Sequence, residues 1–205
     1  MKAIEAFQFN IERARKLVGL YEELTDQGTD HEEIDDVLRA SLVLSVGALD
    51  AFVHDRVGEQ LIPYIRRSLK NDPDSLALVE RELKSVEMRE MLRWLTLKRP
   101  FVQVRKVVEA RLGAQSFQHP GKIEEAFQLI GKKGVWNQVA QDLGVTTSEL
   151  KRKVASAAKR RNQVVHEGDR EKSRRKKGQK RPISRDEVKD VLELIENVGE
   201  KLCEI

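Results

Sequence analysis

An all-α fold is the prediction for this chain: an antiparallel bundle of about four long helices with short helical insertions. Three observations carry it. Apolar residues recur at steps of three and four through most of the sequence, capping residues precede several of those segments, and no stretch alternates apolar and polar residues with a period of two. The 205 residues are enough for a single domain over 1–205 that buries its own core without disulfides.

Residues 1–27 place Ile4, Phe7, Ile11, Ala14, Val18, Tyr21 and Leu24 on one helical face, with charges opposite. DQGTD ends that helix. Asp30 caps a second one, whose apolar positions Ile34, Val37, Leu38, Leu42, Leu49, Phe52 and Val53 run toward Pro63 and pack against the first. NDPDS is a turn, after which Leu76, Val79, Leu83, Val86, Leu92 and Leu95 predict a third helix reaching Arg99-Pro100. Residues 101–134 are choppier: a helix through VQVRKVVEARL, a Gly- and Pro-containing connector, IEEAFQLI, then GKKG. Residues 100–140 are therefore expected to be an insertion. From Trp136 the pattern gives a short helix, a glycine turn at Gly144, a capping box from Thr146 to Glu149, and a longer helix ending at Gly168. A second capping box, Ser184 to Glu187, opens the last helix, which carries Val188, Val191, Leu192, Ile195, Val198 and Leu202 on one face.

Net charge is only +4, but its distribution is uneven. Between residues 151 and 181 there are 14 Lys or Arg against 3 acidic residues, so the remainder of the chain is net negative and one region is built to meet anions. Within it, residues 169–183 have almost no large apolar side chains and predict an exposed, flexible basic loop joining two helices outside the core. The single cysteine, Cys203, has no partner within the chain and lies in an apolar helical pattern, as a packed thiol in a reducing compartment would. No basic-then-apolar leader opens the sequence, and the longest apolar run, SLVLSVGALDAFV, is short for a membrane span and carries Asp50. A cytoplasmic protein with no membrane partner is expected.

The chemistry concentrates in KRRNQVVHEGD, residues 159–169. Residues four apart on a helix nearly superpose, so Asn162 and His166 share a face and can hydrogen-bond. Arg161 lies about 140° around from His166, and the two address one substrate only if the arginine wraps or the helix end loosens near Gly168. Histidine exchanges protons near neutral pH, while arginine stays charged and grips phosphate oxygens with a rigid fork. A metal-independent ribonuclease needs little more than a base for the ribose 2′-hydroxyl and a cation for the phosphate. The bland alternative is a set of surface residues on a basic helix, and the context argues against it: Val164 and Val165 read as packing positions, Gly168 ends the helix, and a basic loop and a capped helix follow.

That arrangement, RNQVVHEGD, a polar loop and then PISRDEVKDVLELIENV, resembles the HEPN superfamily and particularly its RiboL-PSP-HEPN branch, through an Arg-Asn-x-x-x-His motif. The resemblance is most specific over 155–205 and weaker over SVGALDAFVHDRV, which is similar to the family's helix bearing an acidic residue. It implies an all-helical domain, commonly a homodimer, whose two motifs face each other in a basic cleft and cut RNA without metal. On that analogy Arg161 stabilises the phosphate, His166 activates the 2′-hydroxyl and Asn162 orients the site. Such proteins often belong to toxin–antitoxin or phage-defence systems, so an antitoxin or defence partner protein is among the expectations.

Asp50 and His54, four apart on the second helix, are expected as supporting residues near Arg161 or His166, the bland reading being a partly exposed helix pair. Lys159, Arg160, Arg174, Arg175, Lys176 and Lys177 are the expected RNA-binding cations, adding affinity without sequence preference because no aromatics interleave them. His31 and His119 have no accompanying ligand cluster, and nucleotide-binding and hydrolase motifs are absent from the sequence, so no metal and no cofactor are expected. The competing reading is a non-catalytic binding or protein-interaction module: residues 135–155 look like a helix-turn-helix, with Thr147, Ser148, Lys151 and Arg152 toward a DNA major groove.

Overall fold

The computed structural model describes residues 1–171 and 178–205. The described residues form helices and no strand, in the order α1 (Ala3–Asp26), α2 (His31–Asn71), α3 (Ala77–Leu83), α4 (Met88–Trp94), α5 (Phe101–Gly113), α6 (Pro120–Gln128), α7 (Val135–Asp142), α8 (Thr147–Glu167) and α9 (Arg185–Glu204). The four long ones, α1, α2, α8 and α9, are the bundle; α2 is its spine and touches α1, α5, α6, α8 and α9.

Capping chemistry sets the helix starts. The Asp30 carboxylate accepts from the Glu32 amide, and the hydroxyls of Thr146 and Ser184 accept from the amides of Glu149 and Glu187. Two elements differ from the sequence prediction. α2 runs through Pro63 to Asn71, because Leu61, Tyr64 and Ile65 bury apolar surface on both sides of the proline and offset its missing hydrogen bond. The third helix does not form as one piece: a 3₁₀ turn over Pro73–Leu76 leads into α3, and α4 starts only after a break at 84–87. Leu76 and Val79 are buried, whereas Met88, Leu92 and Leu95 stay exposed, so little packing rewards an unbroken helix. Arg111 of α5 further ties down the break, donating to the Ser85 hydroxyl and pairing with Glu82 at 3.7 Å.

α2 is also more apolar than SLVLSVGALDAFV suggests. Within Ile34–Asn71 an 18-residue window reaches a mean hydropathy of 1.5, so the helix is long and apolar enough, by length and composition, to cross a membrane. Here those side chains form the inside of the bundle: Leu38, Leu42, Leu49, Val53, Val57 and Leu61 are wholly buried.

The main core joins α1, α2 and α9 to the middle segment, through Phe7, Phe52, Val108, Phe117, Ile123, Phe127, Trp136 and Ile195. Residues 100–140 thus pack into the bundle's own core. A smaller cluster of Val18, Tyr21, Leu38, Leu42, Ile183 and Val188, with Val164 packed against it, lies beneath the end of α8. Val164 points inward as expected, but Val165 is 45% exposed.

α1 and α9 approach closely where Gly199 meets the Phe7 ring; a Cβ at 199 would overlap that ring. Phe7 is 1% exposed and packed against the tilted Phe52 ring at 5.2 Å between centroids, so it has nowhere to go. Gly199→Ala is expected to destabilise the fold by about 1–3 kcal/mol, despite alanine's better helix propensity, and urea unfolding measures it.

Candidate active site

The end of α8 is fixed by a cluster of ions built around Asp169. Gly168 closes the helix in the left-handed region (φ 60°), and its amide and that of Asp169 both donate to the Gln163 carbonyl. Asp169 follows with φ 54°, an uncommon conformation for a non-glycine residue that aspartate tolerates better than most, and its surroundings hold it there. They do so through its carboxylate, which is 2% exposed and accepts from Arg39 Nε of α2 at 2.6 Å and from both terminal nitrogens of Arg160 of α8. Arg39 also donates to the Arg181 carbonyl at 2.7 Å, and Arg160 to the Pro182 carbonyl at 3.1 Å. Burial disfavours the Arg39 cation, but the hydrogen bonds and charges of Asp169 and Asp36 outweigh it and hold the guanidinium above its ordinary pKa.

The described stems of the loop, residues 169–171 and 178–183, are accordingly tied to the bundle. These two stems pair, with an antiparallel bridge between Arg170 and Lys180, and the Arg181 amide donates to the Asp169 carbonyl at 2.7 Å. Asp169 and Ile183 are buried because the arginines and the small apolar cluster need them. The hydrogen bond from Lys180 holds the Asp36 carboxyl below its usual value, so this exposed pair favours the folded chain at neutral pH, an effect lost as pH falls through the lowered pKa. Arg174, Arg175, Lys176 and Lys177 lie outside the described residues.

On this fixed end stand the motif residues. Arg161 is half-buried on the inward side of α8; its Nη1 donates to Asn162 Oδ1 at 3.1 Å, and its buried Nε has no hydrogen-bond partner among the described residues. Asn162 and His166 are exposed on the outer face, one turn apart. The Asn162 carbonyl oxygen is therefore engaged by Arg161 rather than by His166. The arrangement offers a cation with unused donors, an amide tethered to it, and an accessible imidazole, which suits an anionic substrate with a proton to lose. Lys159 is exposed one turn before Asn162, whereas Arg160, expected on the RNA surface, turns inward to Asp169 and shapes the helix end.

Asp50 and His54 act on the connector before α6. The Asp50 carboxylate accepts from the Phe117 amide and from Gln118 Nε2 at 3.0 Å, and the His54 ring packs on Phe117 with centroids 4.5 Å apart. His54 Nε2 lies 3.8 Å from Asp50. The bonds of Asp50 thus go to this connector rather than to Arg161 or His166. Sequence reasoning passed over Asp169, Arg39 and Gln118. The Gly-Asp step after the motif is the one local signal for the first; the others are set by contacts far apart in the chain.

α7 and α8 are joined by a short turn with Gly144 at φ 67°. Of the expected DNA-facing residues, Thr147 donates to Asn137 at 3.1 Å and Lys151 pairs with Glu124 at 3.7 Å, while Ser148 and Arg152 are exposed. Among the described residues no group of three or more His, Cys, Asp or Glu is arranged to hold a metal ion.

Against known families, the RiboL-PSP-HEPN model matches residues 8–205. The chain belongs to the RiboL-PSP-HEPN family. The match runs from α1 to α9 and takes in residues 100–140, where the resemblance by motif gives out, and the all-helical architecture agrees with the HEPN fold. No curated protein and no solved structure matches this RiboL-PSP-HEPN chain.

Proposed function

We propose that this HEPN chain is a metal-independent endoribonuclease that cuts single-stranded RNA. The observation that carries the reading is the Arg161–Asn162–His166 group on the fixed end of α8, with the Arg161 guanidinium tethered to Asn162 and His166 open to solvent. His166 takes the proton of a ribose 2′-hydroxyl as its oxygen bonds to the adjacent phosphorus, and the bond to the 5′-oxygen breaks, that oxygen taking up a proton from solvent. Arg161 balances charge developing on the phosphate oxygens, and Asn162 holds the guanidinium in place. The products are a 2′,3′-cyclic phosphate and a 5′-hydroxyl.

On this reading the protein works in the cytoplasm as a homodimer with the two motifs facing one another. Exposed Val165, beside His166, suits such an interface. Cleavage without metal, together with a basic exposed face, fits a toxin or phage-defence effector held in check by a partner protein. The test is a labelled single-stranded RNA in EDTA: wild type cuts it, and folded His166→Ala binds it without cutting.

The basic loop supplies affinity. Replacing Arg174, Arg175, Lys176 and Lys177 with Gln is expected to weaken RNA binding at low salt and to reduce the slope of log K against log salt by roughly 3, about 0.7 for each phosphate no longer neutralised. Fluorescence anisotropy across a salt series measures it, and an unchanged slope removes the loop from the interface. The second reading, a DNA-binding module on α7–α8, is favoured by exposed Ser148 and Arg152; it predicts that Arg152→Ala weakens duplex DNA binding while His166→Ala changes nothing.

A further inference from the structure

Beside the motif runs a groove of ≈ 420 Å³ between α8 and the connector ahead of α6, within the range of about 300–1,000 Å³ typical of small-molecule sites. Its lining includes Ala155 and Ala158, one above the other on α8, whose small side chains leave the helix surface open over about one turn. Around that apolar strip stand Lys159 and Asn162 from α8 and Gln118 and His119 from the connector. Asn162 belongs both to this groove and to the Arg161 contact, so the groove adjoins the reacting centre.

The connector's polar groups are pre-oriented. Gln118 is 6% exposed and its Nε2 donates to Asp50, which leaves its carbonyl oxygen as the acceptor available to a ligand. His119 Nδ1 accepts from the Gly121 amide at 3.3 Å, which makes Nε2 the N–H donor of the neutral ring. The backbone here is anchored at two further points, the Phe117 amide on Asp50 and the Pro120 carbonyl, which accepts from Trp136 Nε1 at 2.8 Å. A rigid donor and acceptor beside an apolar strip, with a lysine at the edge, match a planar heterocycle carrying a phosphate.

We propose that this groove holds the nucleotide flanking the scissile phosphate, its base lying on Ala155 and Ala158 and read by Gln118 and His119, so that the middle segment sets which sites in RNA are cut. The proposal rests on the ribonuclease reading. Lys159 meets the phosphate on the far side of that nucleotide, and base choice comes from hydrogen bonds that a wrong base leaves unmade.

Two variants test it. Ala155→Leu fills the groove from a half-buried position, and His119→Asn removes the ring while keeping a side chain that caps α6 well. The probes are AMP, CMP, GMP and UMP, titrated calorimetrically into wild type, both variants and His166→Ala, with melting curves confirming the fold. Cut sites are mapped in parallel on a random-sequence RNA pool. The expected result is saturable binding of at least one nucleotide to wild type and to His166→Ala, at least tenfold weaker binding in both groove variants, and a relaxed base preference beside the cut. No saturable binding to wild type, or unchanged binding and cut-site preference in both folded variants, overturns the proposal. Nucleotide binding that the groove variants lose, in a wild type that cuts no RNA, overturns the ribonuclease reading and with it the groove's role in choosing the cut, while leaving the nucleotide site itself.

Discussion

Asp169→Ala is expected to lower the folding stability by about 3–5 kcal/mol, a fall in Tm on the order of 10 °C for a domain of this size. The magnitude follows from what stays behind. Side chains of Arg39 and Arg160 are 7% and 13% exposed, and both direct donors at the Asp169 carboxylate. Removing that carboxylate leaves two largely desolvated cations with only their more exposed partners, Asp36 for Arg39 at 3.1 Å and Glu187 for Arg160 at 3.4 Å, so the loss exceeds that of one favourable interaction. Asp169→Asn keeps the shape and one acceptor oxygen but loses the charge, so its effect falls between wild type and the alanine variant. Because the cluster holds the end of α8 and the start of the basic loop, amide exchange in Asp169→Ala should rise first around residues 160–170 and 181–184. A melting temperature within about 2 °C of wild type would contradict the buried-ion account.

His166→Ala is expected to cut kcat by about 10²–10⁴-fold, the range for removal of a general acid or base, with little change in RNA affinity or melting temperature. The imidazole is exposed, which is why stability should be spared. Arg161→Lys tests the partner role. A lysine restores the charge but not the fork that reaches Asn162 Oδ1 at 3.1 Å while presenting further donors, so kcat should fall with KM nearly unchanged. An equal loss of RNA affinity in both variants would instead mark the pair as binding residues.

The long helices were legible because their determinants are local. The three-and-four spacing from Phe7 to Tyr21, the caps at Asp30, Thr146 and Ser184, and the left-handed stop at Gly168 all lie within a few residues of the boundary they set. What escaped depends on distant partners. Arg39 and Asp169 are 130 positions apart, and Asp50 meets Phe117 and Gln118 across 67 and 68. Spacing within α2 correctly puts Asp50 and His54 on one face but is silent on which segment that face meets. The same holds for Pro63 and for the break after α3, which were decided by burial on neighbouring helices. At the motif, sequence spacing alone paired Asn162 with His166; the inward position of Arg161, one residue before Asn162, drew the amide to the guanidinium instead.

The central claim, that the end of α8 cleaves RNA through its own side chains, is tested most directly by the ends of the cut products. Wild type and His166→Ala, matched for folded concentration, are incubated in EDTA with a single-stranded RNA and with the same strand carrying 2′-deoxy residues throughout. The expected result is 2′,3′-cyclic phosphate ends from wild type on RNA, no cutting of the deoxy strand, and none by His166→Ala. Cleavage of the deoxy strand, or full activity in His166→Ala, would contradict it.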